Sequence, residues 1–451
     1  MSEEGRSPSV LMFPFLAHGH ITPYLGLAKN LSHRGFLIHL CSTPVILASV
    51  KNMIPERYSA SIRPVELHLP HLPELPPHYH TTNGLPPHLQ PTLRRALRLS
   101  KPSFSEIMRA LKPDLLVLDF LQVWAEGVAH DLRIPTIRFY NVCAATSSYI
   151  NFTTISGSED AFPFPSIRLD GHWETVFRAS VRHIMMSERG PEESLSKPQM
   201  VLISSSTEME PEYIQYYSKI IGCKVIPIGL LAQDQTKESP QNTGEILDWL
   251  ETKEEGSVMY ISFGSECFLS KEEIEEMARG LELVVGAATS KVNFIWVLRT
   301  PNGKNMDVEE SLPNGFVEKM GERGRIVKGW APQVKILSHR SVGGFLTHCG
   351  WNSIMESLNF SVPIIAMPIH VDQPVNARFL VEKGLAIEVT RDGGGKFSRT
   401  AIARAVEEAF SGKRSEALKM RVKDMSIRLK MKQSEEMDNA AQELRKLCAQ
   451  I

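Results

Sequence analysis

Short runs of apolar residues alternate along the chain with longer segments in which apolar residues recur at helical spacing. Continuous apolar runs bounded by turn residues are typical of strands in a parallel sheet that is covered on both faces. The pattern therefore predicts an α/β protein. The predicted strands are Val10–Leu16, Leu37–Cys41, Leu115–Leu118, Thr136–Tyr140 and Val201–Ser204 in the first half, and Val258–Phe263, Asn293–Leu298, Gly344–Thr347, Val362–Met367 and Ala386–Val389 in the second.

A polar stretch without periodicity separates the two halves. Residues 232–245, AQDQTKESPQNTGE, have the composition of a linker. At 451 residues, the chain is also longer than one ordinary hydrophobic core accommodates. We therefore expect one domain at 1–231 and a second at 246–433, followed by a helical segment at 434–451.

Composition narrows the range of partners and compartments. The chain has 50 Lys and Arg residues and 51 Asp and Glu residues, which gives a net charge of −1. It therefore has no bulk attraction for nucleic acid or for an anionic membrane. The six cysteines are scattered, without zinc-ligand spacing, which favours a reducing compartment. The amino terminus lacks a signal-peptide pattern, and no apolar stretch approaches the ~20 residues that span a bilayer. We expect a soluble cytoplasmic protein.

The most informative block covers residues 330–373. Within it, the apolar strand Gly344–Thr347 stops and turns directly into a helix. Ser353 and Glu356 have the spacing of a capping box, which predicts that the helix begins near Asn352 or Ser353. Backbone N–H groups and the positive end of the helix dipole would then lie beside the strand terminus. A phosphate group fits there without a metal ion.

Both ends of this block carry further candidate binding residues. Pro332 restricts the chain after Trp330 and leaves the indole available to stack on a flat ring. Asp372 and Gln373 follow the second apolar strand, at the sheet edge where open α/β sheets bind ligands. Taken singly, these features are ordinary caps, turns and core residues. Their arrangement within one short block favours a nucleotide-sugar site.

The block resembles, without a gap, the 44-residue signature box of plant UDP-dependent glycosyltransferases. The resemblance implies an α/β fold of the GT-B type, with two facing Rossmann-like domains, parallel sheets and a cleft between them. The domain at 1–231 would bind the acceptor and that at 246–433 the UDP-sugar, while the helix at 434–451 would return to the amino-terminal domain. The closing Gln resembles that of the glucose-using members.

Carried over residue by residue, the resemblance implies a complete set of donor contacts. The base and ribose would meet Trp330, Ala331, Gln333 and Glu356. The diphosphate would meet His348, Asn352 and Ser353, with room left by Gly350, and Ser265 in the Ser-Phe-Gly-Ser turn after an earlier strand. The sugar hydroxyls would meet Trp351, Asp372 and Gln373. Ser361 stands where the family usually has Gly, which leaves the local backbone geometry open.

The first half supplies candidates for the chemical step. Thr22 as N-cap with Pro23 in the first helical position predicts a helix that runs to about Ser32, so His20 would lie in the preceding loop. Asp119 ends an apolar strand and would reach the same sheet edge.

Transfer of a sugar to an alcohol requires a base that removes the hydroxyl proton. An imidazole of ordinary pKa about 6.5 can accept it, and a carboxylate on the other ring nitrogen orients the ring and stabilises the imidazolium. Such general-base catalysis contributes roughly 10²–10⁴ in rate. The family has the same two roles at positions that match Gly19-His20 and Asp119, whereas His18 precedes the Gly and is not expected to act.

The acceptor is indicated by resemblance alone. Residues 68–91, rich in Pro and His, predict a loop or lid over a pocket, and their five histidines match no metal-site spacing. The stretch 80–86, HTTNGLP, is similar to a loop of the subgroup that adds a sugar to an existing sugar.

These features together predict inverting transfer of glucose from UDP-glucose to a hydroxyl of a small-molecule glycoside by a monomeric protein. We expect no metal and no cofactor other than the donor co-substrate, no nucleic-acid partner and no membrane insertion. Glucosylation of a bare aglycone and a nucleotide-sugar-binding protein without turnover stay open. A nicotinamide dehydrogenase is disfavoured, since no G-x-G-x-x-G follows the first strand.

Overall fold

The computed structural model describes residues 6–154, 162–169, 171–188, 197–231, 243–299 and 311–449. The chain forms two compact units. Unit 1 contains Met1–Asn151, Arg182–Lys237 and Leu429–Ile451, and unit 2 contains Phe152–Val181 and Glu238–Arg428. The segment Phe152–Val181, which lies within the predicted domain 1–231, thus groups with unit 2. Of the predicted linker, residues 232–242 lie outside the described part of the chain.

Unit 1 is built on a parallel sheet of seven strands in the order β3-β2-β1-β4-β5-β6-β7. This is the order of a doubly wound Rossmann sheet, in which the connections reverse direction between β1 and β4. The strands are β1 Ser9–Phe13, β2 Leu37–Ser42, β3 Ile62–Glu66, β4 Leu115–Asp119, β5 Thr136–Tyr140, β6 Met200–Ile203 and β7 Lys224–Pro227.

Helices cover both faces of this sheet, so its central strands are buried on both sides. Val10 and Met12 of β1 belong to one apolar core, and the alternate residues Leu11 and Phe13 belong to the other. The helices up to β7 are α1 His18–Ser32, α2 Pro44–Val50, α3 Gln90–Leu99, α4 Lys101–Leu111, α5 Trp124–Asp131, α6 Ala144–Thr154, α7 Gly171–Glu188 and α8 Pro211–Ile221.

Unit 2 repeats this topology with a parallel sheet of six strands in the order β10-β9-β8-β11-β12-β13. Its strands are β8 Val258–Ser262, β9 Asn293–Leu298, β10 Gly324–Lys328, β11 Val342–Thr347, β12 Ile364–Ala366 and β13 Ala386–Glu388. The remaining helices are α9 Thr243–Glu251, α10 Lys271–Gly286, α11 Phe316–Met320, α12 Gln333–Leu337, α13 Trp351–Asn359, α14 Gln373–Glu382, α15 Arg399–Phe410 and α16 Gly412–Cys448.

The last helix, α16, begins in unit 2 and ends in unit 1. Its final turns place Met437, Ala440, Ala441 and Leu444 in the same apolar core as Val10. Arg34, just after α1, also donates a hydrogen bond to Asp438 at 2.7 Å. Among the helices that the structure describes, none combines the length and the apolar character needed to cross a bilayer.

The predicted fold class, α/β with two parallel-sheet domains, is confirmed, and each predicted strand is present. Three strands, β3, β7 and β10, were not predicted, and each lies at the edge of its sheet. An edge strand has a neighbour on one side only and is less completely covered, so it needs no continuous apolar run. The sequence of β3, Ile-Arg-Pro-Val-Glu, with two charged residues and a proline, is an example.

Candidate active site

In unit 1, the point where the strand order reverses brings His20 and Asp119 together. Asp119 is the last residue of β4, and His20 lies in the helix that follows the neighbouring strand β1. Nδ1 of His20 is 2.7 Å from Oδ2 of Asp119. Asp119 is completely buried, and its other oxygen accepts the Leu121 N–H at 3.0 Å. A neutral imidazole that donates Nδ1–H to the carboxylate carries its basic lone pair on Nε2.

Helix α1 begins earlier than predicted, at His18 with Ala17 as N-cap. The predicted start, with Thr22 as N-cap and Pro23 as the first helical residue, was wrong, and His20 therefore lies in the first helical turn. Pro23, inside the helix, has no N–H for the carbonyl of Gly19. Asn141, directly after β5, donates its Nδ2–H to that carbonyl at 2.8 Å. This bond satisfies the carbonyl that proline leaves without its helical partner and fixes the turn that carries His20.

The stretch similar to the sugar-adding subgroup packs beside this loop. Thr82 N–H donates to the Leu16 carbonyl at 2.8 Å, and the Thr81 hydroxyl donates to the same oxygen at 3.4 Å. Thr43, after β2, donates its hydroxyl to the His80 carbonyl at 2.7 Å. Residues 80–82 are therefore anchored at the carboxyl edge of the sheet, next to the segment that leads to His20.

In unit 2, the corresponding reversal lies between β8 and β11. The half-buried Ser265 lies in the turn after β8, and the chain after β11 turns into α13 with Gly350 as N-cap. The first intrahelical bond joins the Ile354 N–H to the Gly350 carbonyl at 3.1 Å. The N–H groups of the first turn therefore point out of the amino end of α13, where they favour an anion.

The predicted capping box at Ser353 and Glu356 is absent, since α13 begins at Trp351 and its N-cap makes no side-chain cap bond. Both side chains instead meet Gln333, the first residue of α12. Its Nε2 donates to Oε2 of Glu356 at 2.7 Å and to Oγ of Ser353 at 3.3 Å. The Tyr260 hydroxyl donates to Oε1 of Gln333 at 3.3 Å. Gln333, Ser353 and Glu356, which are all predicted to contact the UDP-sugar, thus form one hydrogen-bonded group.

The imidazole of His348 is packed between two glycines. A Cβ at Gly350 would lie 2.5 Å from its Nε2, and a Cβ at Gly264 would lie 2.9 Å from its Cε1. Burial, reinforced by the charge of His370, lowers the pKa of His348 to about 3. His348 is therefore neutral near pH 7, so it can contact a diphosphate as a hydrogen-bonding group but not as a cation.

Trp330 lies in the loop before α12, and its side chain is 51 % exposed. The guanidinium of Arg299, just after β9, lies 4.6 Å from the centre of the indole. Arg299 also donates to the Gly329 carbonyl at 2.9 Å, which holds it in place. One ring face thus has a cationic neighbour. The adjacent Ala331 is buried in the apolar core beneath.

Asp372 and Gln373 lie at the start of α14. Asn376 donates to Oδ2 of Asp372 at 2.7 Å and to the Cys349 carbonyl at 3.0 Å, which links the loops after β12 and β11. Oε1 of the buried Gln373 accepts the N–H groups of residues 369 and 370, both at 2.9 Å, and its Nε2 donates to Cys267 Sγ at 3.3 Å. Trp351, also buried, and the half-buried Asn352 open helix α13.

Comparison with known proteins identifies the family. A family model described as "UDP-glucoronosyl and UDP-glucosyl transferase" matches residues 171–432, and one for a glycosyltransferase N-terminal domain matches residues 7–231. The chain belongs to the UDP-glycosyltransferase family.

Among similar UDP-glycosyltransferases are two curated plant enzymes. Beta-D-glucosyl crocetin beta-1,6-glucosyltransferase of Gardenia jasminoides is 44% identical over 97% of this chain and 98% of that enzyme. A mogroside IIIx synthase of Siraitia grosvenorii is 42% identical over 98% and 94%. The crystal structure of Glycyrrhiza uralensis UGT73P12 complexed with glycyrrhetinic acid 3-O-monoglucuronide has a TM-score of 0.82 and 25% identity, covering 98% of this chain and 97% of that one.

These similarities confirm the resemblance, the GT-B fold class and the assignment as a glycosyltransferase. The roles of the individual site residues stay predictions. Sequence reasoning also missed two polar residues at the sheet edges, Arg299 and Asn141. Each is the first residue after a strand, β9 and β5 respectively, and that position is the signal by which both could have been found.

Proposed function

We propose that this glycosyltransferase inverts the anomeric centre as it transfers glucose from UDP-glucose to a hydroxyl of a small-molecule glycoside. The observation that carries the proposal is the 2.7 Å contact between His20 and the buried Asp119. Nε2 of His20 removes the acceptor proton as the hydroxyl oxygen attacks the anomeric carbon, and Asp119 stabilises the imidazolium that forms. Because one displacement inverts the centre, an α-linked donor yields a β-glycoside.

The donor half of the proposal rests on unit 2. UDP leaves with negative charge on its diphosphate, and the amino end of α13, with Ser353 and the neutral His348, stabilises that charge. Trp330 stacks on uracil, and the Gln333–Glu356 pair presents a carboxylate to the ribose hydroxyls. Ser265, Asn352, Trp351, Asp372 and Gln373 complete the proposed contacts. No metal ion and no cofactor besides the sugar nucleotide enters this scheme.

The acceptor half rests on unit 1 and on the relatives. The name of the Gardenia enzyme describes addition of glucose to an already glucosylated crocetin. Thr81 and Thr82, in the stretch similar to the sugar-adding subgroup, are anchored to the carbonyl of Leu16 beside the segment that leads to His20. A glycoside hydroxyl presented there would be within the part of unit 1 that holds the base.

A monomer in the cytosol is part of the proposal. All six cysteines are free thiols in the structure, a state that a reducing compartment maintains. Light scattering after gel filtration measures the mass, and fractionation of cells expressing the tagged protein tests the location.

Matched acceptors test the reaction. The purified protein would be incubated with UDP-glucose and either an aglycone or its monoglucoside. Products would be followed by mass spectrometry, and the new anomeric coupling would be read by NMR. We expect turnover of the monoglucoside and a β-linkage. Turnover of the aglycone alone would show that the acceptor is the aglycone and not a glycoside. An α-linked product would overturn the single-displacement mechanism. Parallel reactions with UDP-glucuronate and UDP-rhamnose test the donor.

Neighbouring histidines provide a matched pair for the catalytic assignment. His20→Ala should lower kcat by at least about 10²-fold, the lower end of general-base contributions. UDP affinity, measured by calorimetry, should change little, since the proposed UDP contacts lie in unit 2. His18→Ala is the control and should retain most activity. Equal activity in the two variants would remove His20 from the mechanism.

A further inference from the structure

The solvent-facing side of α16 carries three large apolar side chains. Met420, Ile427 and Met431 are 69 %, 48 % and 78 % exposed. Their spacing of two turns and then one turn places them on one line along the helix. At ~1.5 Å rise per residue, the line is about 16 Å long. The opposite side of the helix is already buried, through residues such as Val422 and Leu429. The line is thus a second apolar stripe, which we call the outer stripe.

Basic side chains border the outer stripe on both sides. At about 100° per residue, Lys419, Lys423 and Lys430 fall on one flank, and Arg421 and Arg428 fall on the other. All five residues are exposed. The helix therefore presents an apolar centre with long cationic side chains on both flanks, and Asp424 lies about 40° from the apolar line on the side of the two arginines.

The local charge differs strongly from that of the whole chain. Residues 413–432 contain eight Lys and Arg but only two acidic residues, whereas the chain as a whole has net charge −1. One of the two acids, Asp424, is paired with Arg428 at 3.1 Å. The other, Glu416, lies near the start of the stripe. Arg414 and Lys432 are also paired, with Glu408 and Glu435 outside this segment. The five Lys and Arg residues on the flanks still outnumber Asp424 and Glu416, so the charge beside the outer stripe favours a positive local potential.

We propose that the outer stripe and its basic flanks bind the surface of a bilayer that contains anionic lipids. The helix would lie parallel to the membrane, with Met420, Ile427 and Met431 at the boundary between headgroups and acyl chains. The Lys and Arg side chains would reach lipid phosphates and carboxylates while their methylene stems cover the apolar edge. Interfacial helices have this combination of an apolar line and a cationic border.

An acidic protein partner fits these observations less well. The cores of protein interfaces are depleted in Lys and form around pockets or well-packed aromatic anchors. Here the apolar line is convex, contains no aromatic residue and is bordered on one flank by Lys419, Lys423 and Lys430. A fluid lipid surface needs no shape complementarity, and unbranched methionine side chains adapt to it.

Flotation of the protein with vesicles tests the proposal. Vesicles of phosphatidylcholine would be compared with vesicles that contain about one third phosphatidylserine, at low and at high salt. We expect binding to the anionic vesicles only, and its loss at high salt as the charges are screened. Both K419E/K423E/K430E and M420S/I427S/M431S should weaken partitioning at least tenfold.

Two further measurements keep the result interpretable. The variant L283S/V317S removes two exposed apolar residues outside α16 and should bind vesicles like the parent protein. Glucosyl transfer in solution should be unchanged in all variants, which verifies folding. Absence of binding to anionic vesicles, or equal binding by the parent and the M420S/I427S/M431S variant, would overturn the proposal. Capture by soluble polyglutamate as strong as that by vesicles would indicate an acidic protein partner instead.

Discussion

The buried His348 should make the folded protein sensitive to acid. In an unfolded chain, its imidazole takes up a proton near pH 6.5, whereas burial in the folded state lowers the pKa to about 3. Between these values the unfolded chain binds the additional proton, so the free energy of unfolding decreases as the pH falls. Because of this single group, the free energy of unfolding should fall by about 2 kcal/mol between pH 7 and pH 5.

Urea unfolding of the parent protein and His348→Gln, followed by tryptophan fluorescence at several pH values, measures this contribution. The parent should lose about 2 kcal/mol more than His348→Gln on going from pH 7 to pH 5. His130→Gln, at a histidine side chain that is 92% exposed, is the control and should retain the dependence of the parent. If His348→Gln retained the same pH dependence as the parent, the buried neutral imidazole would not be its source.

Three further substitutions test other parts of the structure. Ser361 has φ 59°, a left-handed conformation that costs a non-glycine residue about 1 kcal/mol, so Ser361→Gly should raise the free energy of unfolding by that amount; a loss of stability would contradict this assignment. Asn141→Ala should lower kcat several-fold with little change in KM for UDP-glucose, because it releases the Gly19 carbonyl beside His20; a change in KM alone would argue against a positioning role. Gln333→Ala should weaken UDP binding about tenfold in calorimetry, as loss of a hydrogen bond to a charged group predicts; unchanged affinity would separate Glu356 from ribose binding.

Helix starts show where local rules were insufficient. Thr22-Pro23 carries the residues of a helix start, yet α1 begins at His18. Helix α13 does begin next to its predicted start, at Trp351, but without the capping box that Ser353-x-x-Glu356 predicts. In α1, the side chain of a residue far along the chain, Asn141, satisfies the carbonyl that Pro23 leaves. In α13, Ser353 and Glu356 bond to Gln333 from another helix. Rules for helix capping use only residues that are close in sequence, so they cannot predict hydrogen bonds to such distant partners.

The sequence by itself determined the family, because the residues that carry its signature lie close together in one stretch, 330–373. It also determined the central strands, since burial on both faces requires a continuous apolar run. The edge strands β3 and β10 carry no such run, and β7 has a short one that contains Pro227, so all three were identified only in the structure.

The tertiary structure alone decided which distant residues meet. His20 and Asp119 are 99 residues apart in sequence, and they are in contact because β1 and β4 are neighbours where the strand order reverses. The same holds for Arg299 over Trp330 and for Gln333 with Glu356. Strand order is set by packing across the whole sheet, so the local sequence pattern does not predict it directly.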